Sequence, residues 1–145
     1  MAFFVEIHDG PLAFDLIDLL RIIEPEGGRL NWAIFELEAL GQPKCGNLLD
    51  LEKAANESES GLPMSWQELK ELAENLLQVI WGLFVAVRPG QPFPSKQPLS
   101  QLLPHTELLL RAFDSSHWAI YAREDFFLKR LKGKFRDIRS PGFND

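Results

Sequence analysis

The pattern of apolar and polar positions is clearest in the last third of the chain, where it predicts strand, turn, strand and helix. Residues 107–113 are mostly apolar and lack Gly and Pro, and 118–121 are again rich in strand-favouring residues. Residues 114–117, between them, are typical of a turn. A helix over 127–138 follows from an apolar stripe at helical spacing. The stripe consists of Phe127, Leu128, Leu131, Phe135 and Ile138.

A strand and a helix are also predicted at the start of the chain. Residues 2–7 are rich in Phe, Val and Ile, which favour a strand. Pro11 suits the first turn of a helix, with Asp9 or Gly10 as its N-cap. Leucines then repeat at helical spacing as far as Ile23.

Residues 29–40 fit both a strand and a helix. Apolar and polar positions alternate as on a half-buried strand, although Ala, Leu and Glu are good helix formers. The glycines on either side bracket a run of strand length, so we expect a strand. One or two helical turns at 47–52 and a polar loop at 56–61 follow.

The middle of the chain contains the strongest local signal, a capping box at Ser65 and Glu68 that predicts a helix over 65–77. Residues 79–87 carry no polar side chain, which is typical of a central strand covered on both faces. Five prolines in 88–104 predict an extended surface connection. The order of elements predicts an α+β fold, with a mainly antiparallel sheet of about five strands and helices largely on one face.

Length and composition indicate one soluble domain spanning residues 1–145. The chain is 46% hydrophobic and 25% charged, and its single cysteine excludes an internal disulfide framework. The first residues lack the basic stretch of a signal peptide, and the longest apolar run is too short for a membrane helix. We therefore expect a cytoplasmic protein that does not associate with membranes.

Charge is unevenly distributed along the chain. Residues 1–122 carry a net charge of −9 and residues 123–139 one of +4, within a total of −6. The basic terminal helix lacks exposed aromatic residues, and the overall negative charge opposes nucleic-acid binding. An acidic body would instead attract a basic partner, and self-association is also compatible with the sequence.

Candidate metal and catalytic residues lack the spacing that such sites require. His8, His105 and His117 lie in unrelated segments without ligand spacing, so we expect no metal and no cofactor. Asp114, Ser115 and Ser116 with His117 offer an acid, nucleophiles and a base, but neighbours in a tight turn rarely face one another as a triad. We expect these side chains to bond the amides of their own turn.

Several residues remain as candidates for binding a partner. Glu36 and Glu38 would share one face of the predicted strand at 29–40. Two carboxylates so placed can do acid–base chemistry, but they are more typical of a strand face exposed to solvent. One of the four tryptophans, Trp32, Trp66, Trp81 and Trp118, could anchor a partner. The candidate partner-binding residues are Glu36, Glu38, Glu57, Glu59, Asp114, Ser115, Ser116, His117 and Trp118.

The second half of the chain resembles a group of small bacterial α+β proteins, some of which are similar to immunity proteins of bacterial toxin systems. The resemblance rests on Trp-Gln-Glu-Leu at 66–69, Gln-Val-Ile at 78–80, Gly82 and Phe84, and Asp-Ser-Ser-x-Trp-x-x-Tyr at 114–121 before a Lys-rich helix. It implies a cytoplasmic binding protein rather than an enzyme.

Two functions follow as hypotheses. The first is a small non-enzymatic protein that binds another protein, such as an immunity-type inhibitor of a basic toxin, through its acidic residues. The alternative is an enzyme or small-molecule-binding protein with a pocket between sheet and helices near the 114–118 turn.

Overall fold

The protein is described here from a computed structural model that covers residues 2–10, 13–44 and 46–140. Within these residues the chain forms seven strands and five α-helices. The strands are Phe3–Ile7 (β1), Asn31–Gly41 (β2), Leu62–Met64 (β3), Leu76–Val87 (β4), Leu108–Phe113 (β5), His117–Ala122 (β6) and Ile138–Arg139 (β7). The helices are Leu16–Ile23 (α1), Leu48–Glu57 (α2), Trp66–Asn75 (α3), Leu99–Leu102 (α4) and Phe126–Lys134 (α5).

All seven strands belong to one antiparallel sheet in the order β3-β2-β4-β5-β6-β1-β7. The predicted α+β class and antiparallel pairing are confirmed, but the expected number of about five strands was too low. The two additional strands are the short edge strands β3 and β7, with three and two residues. Strands of that length leave too few positions for an alternating pattern to be recognised.

The terminal helix α5 ends at Lys134, not near Ile138 as the apolar stripe predicted. The carboxylate of Asp9 accepts hydrogen bonds from the amides of Arg136 (2.9 Å) and Asp137 (2.8 Å), so these amides do not continue the helix. Ile138 instead pairs with β1. Phe135 remains buried beside α5, as expected.

Helix α1 begins later than predicted, at Leu16, and its N-cap is Asp15 rather than Asp9 or Gly10. Pro11, the predicted first helical residue, lies outside the described residues. The Asp15 amide donates to the carboxylate of Asp18 (2.9 Å). The Asp15 carboxylate accepts from the Val79 amide (3.0 Å), which ties the start of α1 to β4.

The two faces of the sheet are covered differently. One face packs against α1, α3 and α5 and forms the larger core. Part of the other face packs against the proline-rich segment 88–105, which was predicted as an extended connection. This segment contains α4 and a 3-10 turn (Leu103–His105), because Leu99 and Leu102 are buried against the sheet. Among the described residues, no helix is long and apolar enough to cross a membrane.

Side chains of α2 complete the edge of β2 beyond the short strand β3. The side chain of Asn56 accepts from the Leu37 amide and donates to the Leu37 carbonyl, both at 2.9 Å. The Glu52 carboxylate accepts from the Ala39 amide at 2.8 Å. These contacts satisfy backbone groups that an open edge would leave free to pair with another strand.

Replacing Asp15 with asparagine should change how stability depends on pH. Burial raises the pKa of Asp15 above its usual value of 3.8, although amide hydrogen bonds from Leu16 and Val79 oppose the rise. The folded state therefore holds this proton more tightly than the unfolded state, and the stability so gained is lost as the pH rises through the folded pKa. Asp15→Asn should gain stability relative to the wild type between about pH 4 and pH 7.

Urea unfolding of both proteins across this pH range measures the difference. Asp50→Asn, at an exposed position in the first turn of α2, is the control for the loss of one carboxylate. A stability difference between Asp15→Asn and wild type that stays constant with pH would contradict the prediction.

Candidate functional site

Segment 88–105 covers only half of the sheet face that lies opposite α1, α3 and α5. We call the uncovered half the open face. Side chains from six strands lie on it in two rows that run across the sheet. The row nearer segment 88–105 consists of Glu36, Leu83, Arg111, Ala119, Glu6 and Arg139, which are paired in register. Leu83 and Ala119 in this row are buried, and Leu83 contributes to the cluster under segment 88–105. The outer row consists of Glu38, Trp81, Phe113, His117 and His8.

The outer row contains a continuous series of four rings. Trp81 meets the edge of Phe113 at 6.4 Å between ring centroids, and Phe113 stacks on His117 at 4.7 Å. His117 in turn stacks on His8 at 4.4 Å. The guanidinium of Arg111 lies 4.5 Å above the Phe113 ring, in the middle of the open face.

An acidic groove lies at the β2 end of the open face. It has a volume of about 410 Å³ and is lined by Glu36, Leu37, Glu38, Glu52, Asn56 and Trp81. Glu36 and Glu38 are exposed, and Trp81 is 39% exposed. Lys96 is the cation near Glu36, but its ammonium is bonded to the carbonyls of Ala55 and Asn56. Burial lowers the pKa of Lys96, and the charge of Glu36 partly offsets this effect.

Three exposed leucines lie beyond the acidic groove, around the end of β2. Leu40, Leu49 and Leu77 are 51%, 73% and 83% exposed, and we call them the leucine patch. Leu40 and Leu77 line one depression of about 700 Å³, and Leu49 lines a second of about 430 Å³. Gly41 and Gln42 line both depressions, so the patch is continuous. Large exposed apolar side chains grouped in this way commonly mark an interaction surface.

A cluster of two histidines and one carboxylate lies at the opposite end of the open face, on β1, on the residue that follows it and on β6. Nε2 of His8 is 2.8 Å from one carboxylate oxygen of Glu6, and Nε2 of His117 is 3.7 Å from the other. All three side chains are partly exposed to solvent. We call these residues the histidine cluster. Two of the three histidines thus lie together, although their positions in the sequence gave no ligand spacing.

The hydrogen bonds of Ser116 determine the tautomer of His117. The Ser116 hydroxyl donates its one proton to the Phe113 carbonyl at 2.6 Å, so the same oxygen must accept from Nδ1 of His117 at 2.9 Å. Nδ1 therefore carries the ring proton, and Nε2 of neutral His117 presents a lone pair to the histidine cluster. Burial lowers the pKa of His117 and so favours the neutral ring, while the charge of Glu6 opposes this effect.

The 114–116 turn does not have the geometry of a catalytic site. Ser116 and His117 are in contact, but the Ser116 proton is used by a carbonyl and is not available to the imidazole. The Ser116 hydroxyl thus bonds a carbonyl, where an amide was expected. The nearby cavity between sheet and helices, lined by Asp15 among others, measures about 10 Å³. That space is about the size that one water molecule needs.

The predicted partner-binding residues do not form one site. Glu36 and Glu38 lie in the acidic groove, whereas Glu57 and Glu59 are exposed but do not line it. His117 belongs to the histidine cluster. The turn residues are Asp114, Ser115 and Ser116; the first two have positive φ, and Asp114 and Ser116 are exposed. Trp118 is 5% exposed and packs against Phe84, so it is a core residue and its ring is not available to a partner.

Two functional candidates, Glu52 and Glu6, were missed from the sequence. Trp81 was one of four tryptophans considered as an anchor, but it was also included among apolar residues expected to be covered on both faces, and it is 39% exposed. Glu52 was placed in a short helix without a role. Glu6 lies two residues from His8 on the same strand face, and this alternation was the available signal for the histidine cluster.

Comparison with known proteins gives no relative: no protein-family model, no curated protein and no solved structure matches the chain.

Proposed function

We propose that this protein is a non-enzymatic binding protein whose partner is another protein. It binds a basic, partly apolar segment of that partner in the acidic groove and on the leucine patch. The observation that carries the proposal is an exposed tryptophan, Trp81, that lines one groove with three carboxylates, while three exposed leucines lie around the end of the same strand β2.

The acidic groove has the chemistry to bind a Lys or Arg side chain. Trp81 offers a ring face to a cation, a contact worth about 0.5–2 kcal/mol. Glu36 and Glu38 project on the same side of β2 and leave their carboxylates exposed beside that ring. A cation between them would also relieve the repulsion of the two like charges.

The leucine patch complements the acidic groove. Charged contacts at the rim of an interface contribute little affinity, whereas buried apolar side chains contribute most of it. Covering Leu40, Leu49 and Leu77 would remove their side chains from water, at about 25 cal/mol per Å² of apolar area. The partner segment should therefore carry apolar residues as well as basic ones.

Selection of peptides from a random displayed library tests this proposal. The wild-type protein is the bait, and selected peptides are synthesised and titrated against variants. We expect Lys- or Arg-containing peptides with apolar residues, and an affinity that falls as salt is raised. Trp81→Ala should weaken binding by about 10-fold or more, as expected for an aromatic anchor. The double variant Glu36→Gln/Glu38→Gln should also weaken it, by roughly 3–10-fold.

A matched control removes the same number of charges elsewhere. Glu57→Gln/Glu59→Gln neutralises two exposed carboxylates that do not line the acidic groove, and it should leave the affinity within about 2-fold. Equal losses from both double variants would attribute the effect to net charge alone. Selected peptides without basic residues, or binding indifferent to salt and to Trp81→Ala, would reject the proposal.

A finer proposal concerns the partner. The similarity to immunity proteins favours a basic toxin, which this protein would neutralise by covering a basic surface. In that case co-expression with the toxin should restore growth of the host cell, and Trp81→Ala should restore it less well. Growth restored equally by both proteins would argue against inhibition through the acidic groove.

A further inference from the structure

We propose that Glu6, His8 and His117 form a binding site for one first-row transition metal ion, of which Zn²⁺ is the natural probe. The histidine cluster lies at the end of the open face away from the acidic groove, so this inference is independent of the proposed function. A carboxylate with two imidazoles is a common ligand set for Zn²⁺.

The ligand atoms are close enough to bind one ion. One atom from each of the three residues lies within 4.8 Å of the other two. Tetrahedral Zn²⁺ with ligands at about 2.0–2.1 Å places ligand atoms about 3.3 Å apart. The His8 and His117 rings are now stacked at 16° between planes, so the His8 ring must turn before both imidazole lone pairs point at one ion, and the partly exposed side chains of His8 and Glu6 can rotate without movement of the strands. Glu6 on β1, His117 on the paired strand β6, and His8 directly after β1 thus supply the site.

The Nε2 atoms of both histidines face the Glu6 carboxylate. Nδ1 of His117 donates to Ser116, so Nε2 is the atom of this ring that can ligate a metal, and it lies 3.7 Å from one Glu6 oxygen. Nε2 of His8 lies 2.8 Å from the other oxygen, so the three candidate ligand groups already face one another. Metal binding through Nε2 of His8 replaces its 2.8 Å hydrogen bond to Glu6, and the ring proton of His8 then lies on Nδ1.

Ser116 has the position of a residue that orients a metal ligand. Metal-binding histidines commonly donate the other ring nitrogen to an oxygen, which fixes both the tautomer and the ring plane. The Ser116 oxygen does this for His117, and the bond of its hydroxyl to the Phe113 carbonyl fixes the Ser116 side chain in turn. Stacking of Phe113 on His117 further limits rotation of the His117 ring, so His8 is the ring that turns when metal binds.

Donor chemistry and local charge define the kind of ion. Two imidazoles favour Zn²⁺ and its neighbours over Mg²⁺ and Ca²⁺, which prefer oxygen ligands. The nearest opposing charge is Arg139, opposite Glu6 on β7, but its guanidinium is paired through two bonds with the carboxylate of Asp137. Three protein ligands leave the fourth coordination position of a tetrahedral ion for water, which can reach the ion because the site is partly exposed.

Titration of the tag-free, full-length protein with Zn²⁺ tests the site. All proteins carry Cys45→Ser so that the one thiol cannot bind metal. We expect one Zn²⁺ per chain, and His8→Gln, His117→Gln or Glu6→Gln should each weaken binding by about 100-fold or more, since each removes a ligand. Ser116→Ala should weaken it by about 10-fold, and Ser116→Thr, which keeps the hydroxyl, should restore it.

The third histidine provides a matched control. His105 is exposed and lies outside the histidine cluster, so His105→Gln should bind Zn²⁺ like the starting protein. Nuclear magnetic resonance of the imidazole nitrogens gives a second measurement that needs no variant. Zn²⁺ should shift Nε2 of His8 and His117, and leave His105 unchanged. Failure to bind Zn²⁺ at 100 µM metal or below, or equal weakening by His105→Gln, would overturn the proposal.

Discussion

Phe84→Ala is expected to lower the free energy of unfolding by about 3–5 kcal/mol, the range for truncating a fully buried aromatic residue. Phe84 is 0% exposed, lies in β4, and is paired with Ile34 and Leu110 on either side. Its ring stacks on Trp118 at 6.2 Å between centroids. A cavity at this position cannot be filled from solvent, since helices cover that face of the sheet. Urea unfolding followed by circular dichroism measures the loss.

Phe126→Ala is the matched control, because it removes the same atoms from a ring that is 39% exposed. Phe126 also lies 5.2 Å from the guanidinium of Arg130, so a loss of about 1 kcal/mol is expected. If Phe84→Ala does not fold, Phe84→Leu keeps most of the volume and should still cost about 1–2 kcal/mol. Equal losses at both positions would show that the central core is less tightly packed than described here.

Short sequence patterns correctly predicted the elements that depend only on residues close together in the chain. The capping box at Ser65 is present: the Ser65 hydroxyl accepts from the Glu68 amide at 3.1 Å, and the Glu68 carboxylate accepts from the Ser65 amide at 2.9 Å. The strand chosen for 29–40 is confirmed as β2. The predicted end of α3 was wrong, because Leu76 and Leu77 already belong to β4 and the helix ends at Asn75.

Elements that depend on distant parts of the chain were not predicted. The short strand β3 exists because β2 offers an edge to it, and α1 starts directly after Asp15 because that carboxylate binds an amide of β4. Both the β2–β3 pairing and the Asp15–Val79 hydrogen bond join residues that are far apart in the sequence. The same argument explains Trp81, whose exposure depends on where the proline-rich segment 88–105 stops covering the sheet.

The candidate sites show the same division. Glu36 and Glu38 were recognisable, because alternation along one strand places both on one face. The histidine cluster was not, because His8 and His117 are brought together by the pairing of β1 with β6. Strand order in an antiparallel sheet with long connections is not encoded in residue spacing. A search for ligand spacing therefore finds sites within one segment and misses sites between strands.

The uncovered half of the sheet explains why the acidic groove and the histidine cluster can coexist. A sheet that packs helices on one face needs cover on the other face only where its side chains are apolar. The segment 88–105 covers Val85, Leu109 and their neighbours, and it leaves the rows that carry charged and aromatic side chains. Arg111 separates the two ends of the open face, so a cation at one end and a basic partner at the other would not compete.

Gly41→Ala is expected to lower the free energy of unfolding by about 2–5 kcal/mol, because two costs add at this position. Gly41 has φ +143°, where a side chain strains the backbone. An added Cβ would also lie 2.5 Å from the Asn75 carbonyl oxygen and 2.7 Å from Cα of Leu76. Both contacts are with backbone at the junction of α3 and β4, so no side-chain rotation relieves them. Thermal and urea unfolding measure the effect.

Gly90→Ala separates the two costs. Gly90 also has a positive φ, +88°, but an added Cβ there meets no atom within 4 Å. This variant should therefore lose only the backbone term, about 1–2 kcal/mol, and the further loss in Gly41→Ala measures the clash. Because the clash would push β2 away from β4 beside the leucine patch, Gly41→Ala should also weaken binding of the selected basic peptides, whereas Gly90→Ala should not. Equal stability losses in the two variants would contradict the close approach of β2 to the α3–β4 junction.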